Sequence, residues 1–271
     1  MSRTVNTPVG ALEVTIEGSG PTVVLWHSLY VDDRSWDRVS GELSSLRRLV
    51  RITGPGHGAS EPTAHPYSLI DCSNAAIAVL DALELPGPVD WVGNAWGGHV
   101  GLMLAASHGA HIRTLAAFNA PVQQLTSRQA RSSRLLARVF RIVGPIEPVL
   151  AGVTETLLSP QTRADDPAVV AYVRECLIRS DRRGLVTAIR SISLGREDLR
   201  PLLPAIACPT LLVTTPEDAL WTPEQAELAA ASMPDATSAV ITGGGHLTPL
   251  ESPGETIALL RRLWGVDDQI Q

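Results

Sequence analysis

Residues 89–107 read VDWVGNAWGGHVGLMLAAS, and how they are parsed decides the fold. Val89–Val92 is a short apolar run of the kind that forms a buried strand, and Gly97–Ser107 has the composition of a packed helix. Between them lies Gly93-Asn94-Ala95-Trp96-Gly97-Gly98, with glycines on both sides of Ala95. Glycine in those places implies a turn so sharp that a flanking side chain would strike neighbouring backbone. A strand that feeds a helix in this way is half of a β-α-β unit.

The pattern continues in both directions. Ala11–Glu17 alternates as a half-buried strand, and a GSGP turn occupies Gly18–Pro21. Thr22–Trp26 is a β-branched apolar run, Trp36–Leu46 reads as helix, and Leu49–Thr53 reads as the next strand. Ser68–Glu84 places Leu69, Ala76, Ile77, Leu80 and Leu83 at helical spacing, and Thr114–Phe118 is a strand again. This order predicts a parallel sheet with right-handed crossovers and helices on both faces. From 122 to 203 only helical periodicity is found. Alternation resumes with Thr210–Thr214, a helix near Pro223–Ser232, a strand at Ser238–Ile241 and a last helix from Gly254 to Trp264. A helical block set inside a βα sheet has the form of an inserted cap. The expected division is a core domain of residues 1–121 and 204–271 and a helical cap or lid of residues 122–203.

Composition narrows the function. All 22 basic residues are arginine, so Schiff-base catalysis and a lysine-tethered pyridoxal cofactor are excluded. A net charge of −6 argues against general nucleic-acid binding. The first ten residues, MSRTVNTPVG, lack the apolar centre of a secretory leader, and no apolar run is long enough to cross a bilayer. A cytoplasmic protein that does not bind membranes is expected. Cys72, Cys176 and Cys208 are odd in number and widely spaced, which argues against a disulfide framework or a zinc site. Charge is uneven: residues 122–203 hold 13 arginines against 8 acids, and the rest of the chain holds 9 against 20. Arg128, Arg131, Arg134, Arg138 and Arg141 share one helix face. They form either a basic lid that draws in an anionic substrate or, the plainer reading, a solvated face.

Four further segments bear on chemistry. Trp26-His27-Ser28-Leu29 ends a buried strand, and Thr53-Gly54-Pro55-Gly56-His57-Gly58-Ala59-Ser60 is a Gly-rich turn after the next one. Thr214-Thr215-Pro216-Glu217-Asp218 is an acidic loop after a strand, and Gly243-Gly244-Gly245-His246-Leu247 precedes the final helix. Together with the 93–98 turn, in this order, they resemble the α/β-hydrolase fold superfamily. The resemblance spans essentially the whole chain.

That resemblance implies an α/β architecture with an eight-stranded, mostly parallel sheet. It makes 93–98 the G-x-S-x-G nucleophile elbow with Ala95 in the serine position, Asp218 the triad acid and His246 the triad base. Glu217 is the rival acid. The backbone N–H groups of Leu29 and Trp96 would form the oxyanion hole, with Ser28 where the family usually has glycine and Thr53 where it usually has aspartate. Ser28, Tyr30, Trp221 and Leu247 are the expected substrate-binding residues, and the Trp96 side chain is expected at the pocket. Trp91 reads as core, His99 as packed against the sheet, and His57, His65, His108 and His111 as loop or surface residues. No metal or organic cofactor is implied, the partner is a small-molecule substrate, and the oligomeric state is left open.

A methyl group cannot attack a carbonyl, so serine-type covalent catalysis is impossible with Ala95. Three readings remain. The chain is an engineered Ser→Ala variant of an enzyme that cleaves an ester, a lactone or an activated C–C bond. Or it is a natural serine-independent enzyme in which His246, held by Asp218, is a general base on water or substrate, which also admits lyase, cyclase or cofactor-free oxygenase chemistry. Or it is a non-catalytic ligand-binding protein. The dehalogenase and epoxide-hydrolase branches need a carboxylate nucleophile, which this elbow lacks.

Overall fold

The computed structural model describes residues 1–63, 65–85 and 87–266. Eight strands make one sheet: β1 (Ser2–Thr7), β2 (Gly10–Glu17), β3 (Thr22–Trp26), β4 (Arg48–Ile52), β5 (Val89–Asn94), β6 (Ile112–Phe118), β7 (Thr210–Thr214) and β8 (Ala236–Val240). Their spatial order is β1-β2-β4-β3-β5-β6-β7-β8. β2 pairs antiparallel with β1 and with β4, and all other neighbours are parallel. The helices of the first half are α1 (Asp37–Leu46), α2 (Leu69–Ala82) and α3 (Trp96–Ser107).

Between β6 and β7 the chain is helical. It runs through α4 (Ser127–Val143), α5 (Glu147–Leu157), α6 (Pro160–Asp165), α7 (Pro167–Arg179) and α8 (Arg182–Ala188), a π-helical stretch Ile189–Leu194 and a 3₁₀ turn Arg200–Ala205. After β7 come α9 (Pro223–Ala230), α10 (Thr248–Glu251) and α11 (Pro253–Leu263). Side-chain caps set several of these starts. Ser68 and Thr126 close capping boxes with Asp71 and Gln129, and Thr222 does so with Gln225 ahead of a proline.

Central strands are covered on both faces, as a parallel sheet requires. In β3, Val24 and Trp26 pack with residues of α2 and α3, whereas Val23 and Leu25 pack with Trp36, Val39 and Leu43 and with Ile257 and Leu260 of α11. β1 was not foreseen. Its sequence SRTVNT is polar, and only Val5 is buried, because the strand lies at the sheet edge.

Register brings the loops together. Trp26 lies opposite Gly93, Asn94 opposite Phe118, and Phe118 opposite Val213. The segments that follow β3, β5, β6 and β7 therefore leave the sheet side by side, at the carboxyl ends of parallel strands where such folds hold ligands. The turn after β5 is the tightest point. A Cβ on Gly93 would lie 2.0 Å from the Gly97 carbonyl carbon, one on Gly97 would lie 1.9 Å from the Trp26 oxygen, and one on Gly98 would lie 2.6 Å from Ala120 Cβ.

Ala95, between them, holds φ 48° and ψ −99°, which an L side chain adopts only with strain. Ala95→Gly should relieve that strain by more than the entropy glycine adds to the unfolded chain, and should raise unfolding free energy by about 1 kcal/mol. Urea denaturation measures this; a fall in stability would show that the Ala95 backbone is unstrained.

Candidate active site

Ala95 is the last residue before α3, and its carbonyl accepts the first helical bond, from His99 N–H at 2.9 Å. Trp91 Nε1–H donates to the Gly97 carbonyl at 2.9 Å, so the strand locks the turn through an indole. The loop after β7 supplies Asp218, and the loop after β8 supplies His246. His246 Nδ1 lies 3.2 and 3.1 Å from the two Asp218 oxygens, with both residues buried. Since the carboxylate can only accept, Nδ1 carries the proton and Nε2 is the free ring nitrogen. Burial alone would raise the Asp218 carboxyl. The His246 ring, the Asn119 amide and the Leu220 N–H outweigh it and hold the group below its ordinary range. Asp218, rather than Glu217, is thus the acid that faces the histidine.

Both members of the pair are braced. Asn119 Nδ2–H donates to Asp218 Oδ2 at 2.9 Å and to the Gly245 carbonyl at 3.3 Å, and its side-chain oxygen accepts from Thr248 Oγ1. Asn94 Nδ2–H donates to the His246 carbonyl at 3.0 Å, and His246 N–H donates to Leu157 O at 2.9 Å, tying the histidine loop to α5. Glu251 accepts from the N–H groups of Ser159, Gly245 and Leu247. Asn119 and Glu251 escaped the sequence reading. A positive φ of 51° at Asn119, straight after a strand, is the kind of local signal asparagine permits but composition does not reveal.

Ala95 and His246 open into one cavity of about 1010 Å³. Ser28, Leu29, Tyr30 and Trp96 line it as expected, together with Leu220, His99 and Arg196. Its far wall comes from α4 and α5, including Leu136, Val139, Val149 and Val153. Trp221 and Leu247 do not line it. Both are fully buried in the core, Leu220 takes the place expected of Trp221, and the Trp221 carbonyl accepts from Thr214 Oγ1. The arginine stripe of α4 faces solvent, and only Arg128 of its five members reaches the cavity lining.

Beneath the cavity lies an aromatic cluster. The Trp96 ring packs edge-on to Trp26 and His27, with centroids 5.5 Å apart in each case, and lies 5.3 Å from His57. It fits because Gly54 has no Cβ, which would sit 2.3 Å from the indole. His27 Nε2 accepts from Gly54 N–H at 2.8 Å, so Nδ1–H donates to the Ser28 carbonyl at 2.7 Å. The neutral ring thus staples the Ser28–Leu29 loop to the Gly-rich turn. His57, expected in a loop or at the surface, lies in the Gly-rich loop but is buried, with Nδ1 at 3.1 Å from the Pro55 carbonyl. Its ring fills the space under Trp96, a contact between loops far apart in sequence.

Comparison with known proteins places the fold. The model of the Alpha/beta hydrolase family matches residues 23–259. The pimeloyl-[acyl-carrier protein] methyl ester esterase of Xanthomonas oryzae pv. oryzae is 27% identical, over 93% of this chain and 98% of that one. A 2-hydroxymuconate semialdehyde hydrolase of Pseudomonas sp. is 38% identical, but over only 37% of this chain and 33% of its own length. The enol-lactonase of Burkholderia xenovorans superposes with a TM-score of 0.89 at 23% identity, covering 97% of this chain and 100% of that one, a likeness of fold.

Burial lowers the His27 ring from 6.5 to about 4 and the His57 ring to about 3. A depressed folded value means that the unfolded chain takes up protons the folded chain refuses, so stability is intact above 6.5 and is lost as pH falls toward 4. Urea midpoints measured across that window should fall steeply in the native chain and less steeply in His57→Gln. Equal slopes would show that His57 titrates normally.

Proposed function

The chain belongs to the Alpha/beta hydrolase family, and from that premise we propose that it hydrolyses a small carboxylic ester or lactone by general-base catalysis, without an acyl-enzyme. The observation that carries this reading is an Asp218–His246 pair intact and facing a cavity whose nucleophile position holds only a methyl group. The names of its relatives, a methyl ester esterase and an enol-lactonase, support the substrate class.

In this reading a water molecule occupies the space a serine hydroxyl would fill above Ala95. His246 Nε2 accepts its proton as the oxygen bonds to the substrate carbonyl carbon, and Asp218 stabilises the imidazolium that forms. The tetrahedral oxyanion is held by the N–H groups of Leu29 and Trp96, neither of which has a protein acceptor among the described residues. Collapse breaks the bond to the leaving oxygen, which takes the proton back from His246. Ser28 and Tyr30 border the reacting carbonyl, and residues 122–203 act as the lid over residues 1–121 and 204–271. An apolar far wall drawn from α4 and α5 supports that assignment of the lid.

Turnover of p-nitrophenyl esters and small lactones tests the mechanism. Loss of a triad nucleophile leaves roughly 10³–10⁴-fold acceleration over water from the oxyanion hole and binding alone, so general-base catalysis should show as turnover above that floor. His246→Ala should bring turnover down to the floor. Ala95→Ser should raise kcat about a hundredfold or more and introduce a burst of acyl-enzyme. If His246→Ala and Asp218→Ala leave turnover of the native chain unchanged, the assignment is wrong.

A further inference from the structure

The cavity contains a positive charge that no acid among the described residues neutralises. Arg196 is only 9% exposed and lines the wall beside His99. Elsewhere the chain surrounds a buried guanidinium with acids: Arg51, 8% exposed, has Asp37, Asp33 and Glu17 within 3.6 Å. No carboxylate stands within ion-pair distance of Arg196 among the described residues. Its partners are neutral, since Nη2–H donates to the Gln123 carbonyl at 2.8 Å and Nη1 lies 2.8 Å from His99 Nε2. Its Nε–H has no acceptor among the described residues.

His99 cannot supply the missing charge. Its Nε2 lies between Arg196 Nη1 and the Pro121 carbonyl, 3.0 Å away, and one nitrogen cannot accept from the first while donating to the second. Burial, the Arg196 charge and nearby His246 all hold the ring neutral. Burial also pulls Arg196 down, to about 10, which still leaves it cationic at neutral pH. A charge taken out of water is strongly unfavourable unless an opposite charge meets it. That partner has to come from what the cavity binds.

We propose that Arg196 anchors a carboxylate on the far end of the substrate, so that the cavity selects anionic esters or lactones over neutral ones. This rests on reading the cavity as the substrate site. His99 lies one helical turn beyond Ala95, about 6 Å of rise, which puts the anchored carboxylate a few methylenes from the reacting carbonyl. The apolar wall of Leu136, Val139, Val149 and Val153 suits that linking chain. The π-helical stretch at Ile189–Leu194 directly precedes Arg196 and widens the backbone there.

Titration calorimetry of the native chain with monomethyl adipate and dimethyl adipate tests the anchor without any turnover. The monoanion should bind at least about tenfold more tightly than the neutral diester, the scale of a charge-assisted pair. Arg196→Gln should erase that preference, so that monoanion and diester bind alike, and Arg196→Lys should retain part of it. Equal affinities in the native chain, no detectable binding of the monoanion, or a preference that survives in folded Arg196→Gln would each overturn the proposal, even if the native chain proves to hydrolyse neutral esters. Selective binding with no hydrolysis by any variant would leave the anchor standing and sink the general-base reading instead.

Discussion

The structure depends on one close approach, the contact of the backbone at Gly97 with the Trp26 carbonyl. Gly97 N–H donates to the His27 carbonyl, and Trp91 holds the Gly97 carbonyl from the strand beneath. These bonds draw the start of α3 onto the end of β3, a distance at which no Cβ is tolerated. The same approach places the loop after β3 beside the first free N–H of α3. The site is therefore a consequence of sheet register and one glycine-lined turn, and any side chain at 93 or 97 would separate its two halves.

Electrostatics divides the site into three regimes. His246 Nδ1 lies against a carboxylate that several donors hold below its ordinary range. His27, a few residues from the expected oxyanion donors, is held neutral because its two nitrogens already serve one donor and one acceptor. Arg196 carries a charge with only neutral company. Burial acts on all three groups, and the difference between them lies in their partners. The two histidines are distinguished here by what faces Nδ1, a carbonyl for His27 and a carboxylate for His246.

Much of this was legible in the sequence. The glycine turn, the succession of strands along the chain from β2 onward and the helical block follow from local patterns whose period survives in a single chain, whereas the Asp218–His246 pairing was implied by the family resemblance and not by any local pattern. What failed shares a cause. Trp221 and Leu247 adjoin site residues in sequence but turn into the core, because neighbours in a loop point to opposite sides. His57 is buried by Trp96, and Arg196 is isolated by the absence of acids that no local window can register. β1 is polar and held only along one edge, so it leaves no hydrophobic period to read.

That the Asp218–His246 pair stands intact beside a methyl group has a physical basis. Asp218 is fixed by Asn119 and by the Leu220 N–H, and the His246 main chain by Asn94 and the Leu157 carbonyl. None of these contacts involves the side chain of residue 95. A nucleophile could be absent from this turn without loosening the acid or the base, since the strained backbone of residue 95 is imposed by glycines and strands rather than by its own side chain. In the proposed mechanism the fold therefore separates what orients the proton acceptor from what attacks, and a water molecule takes the second task without any change in the first.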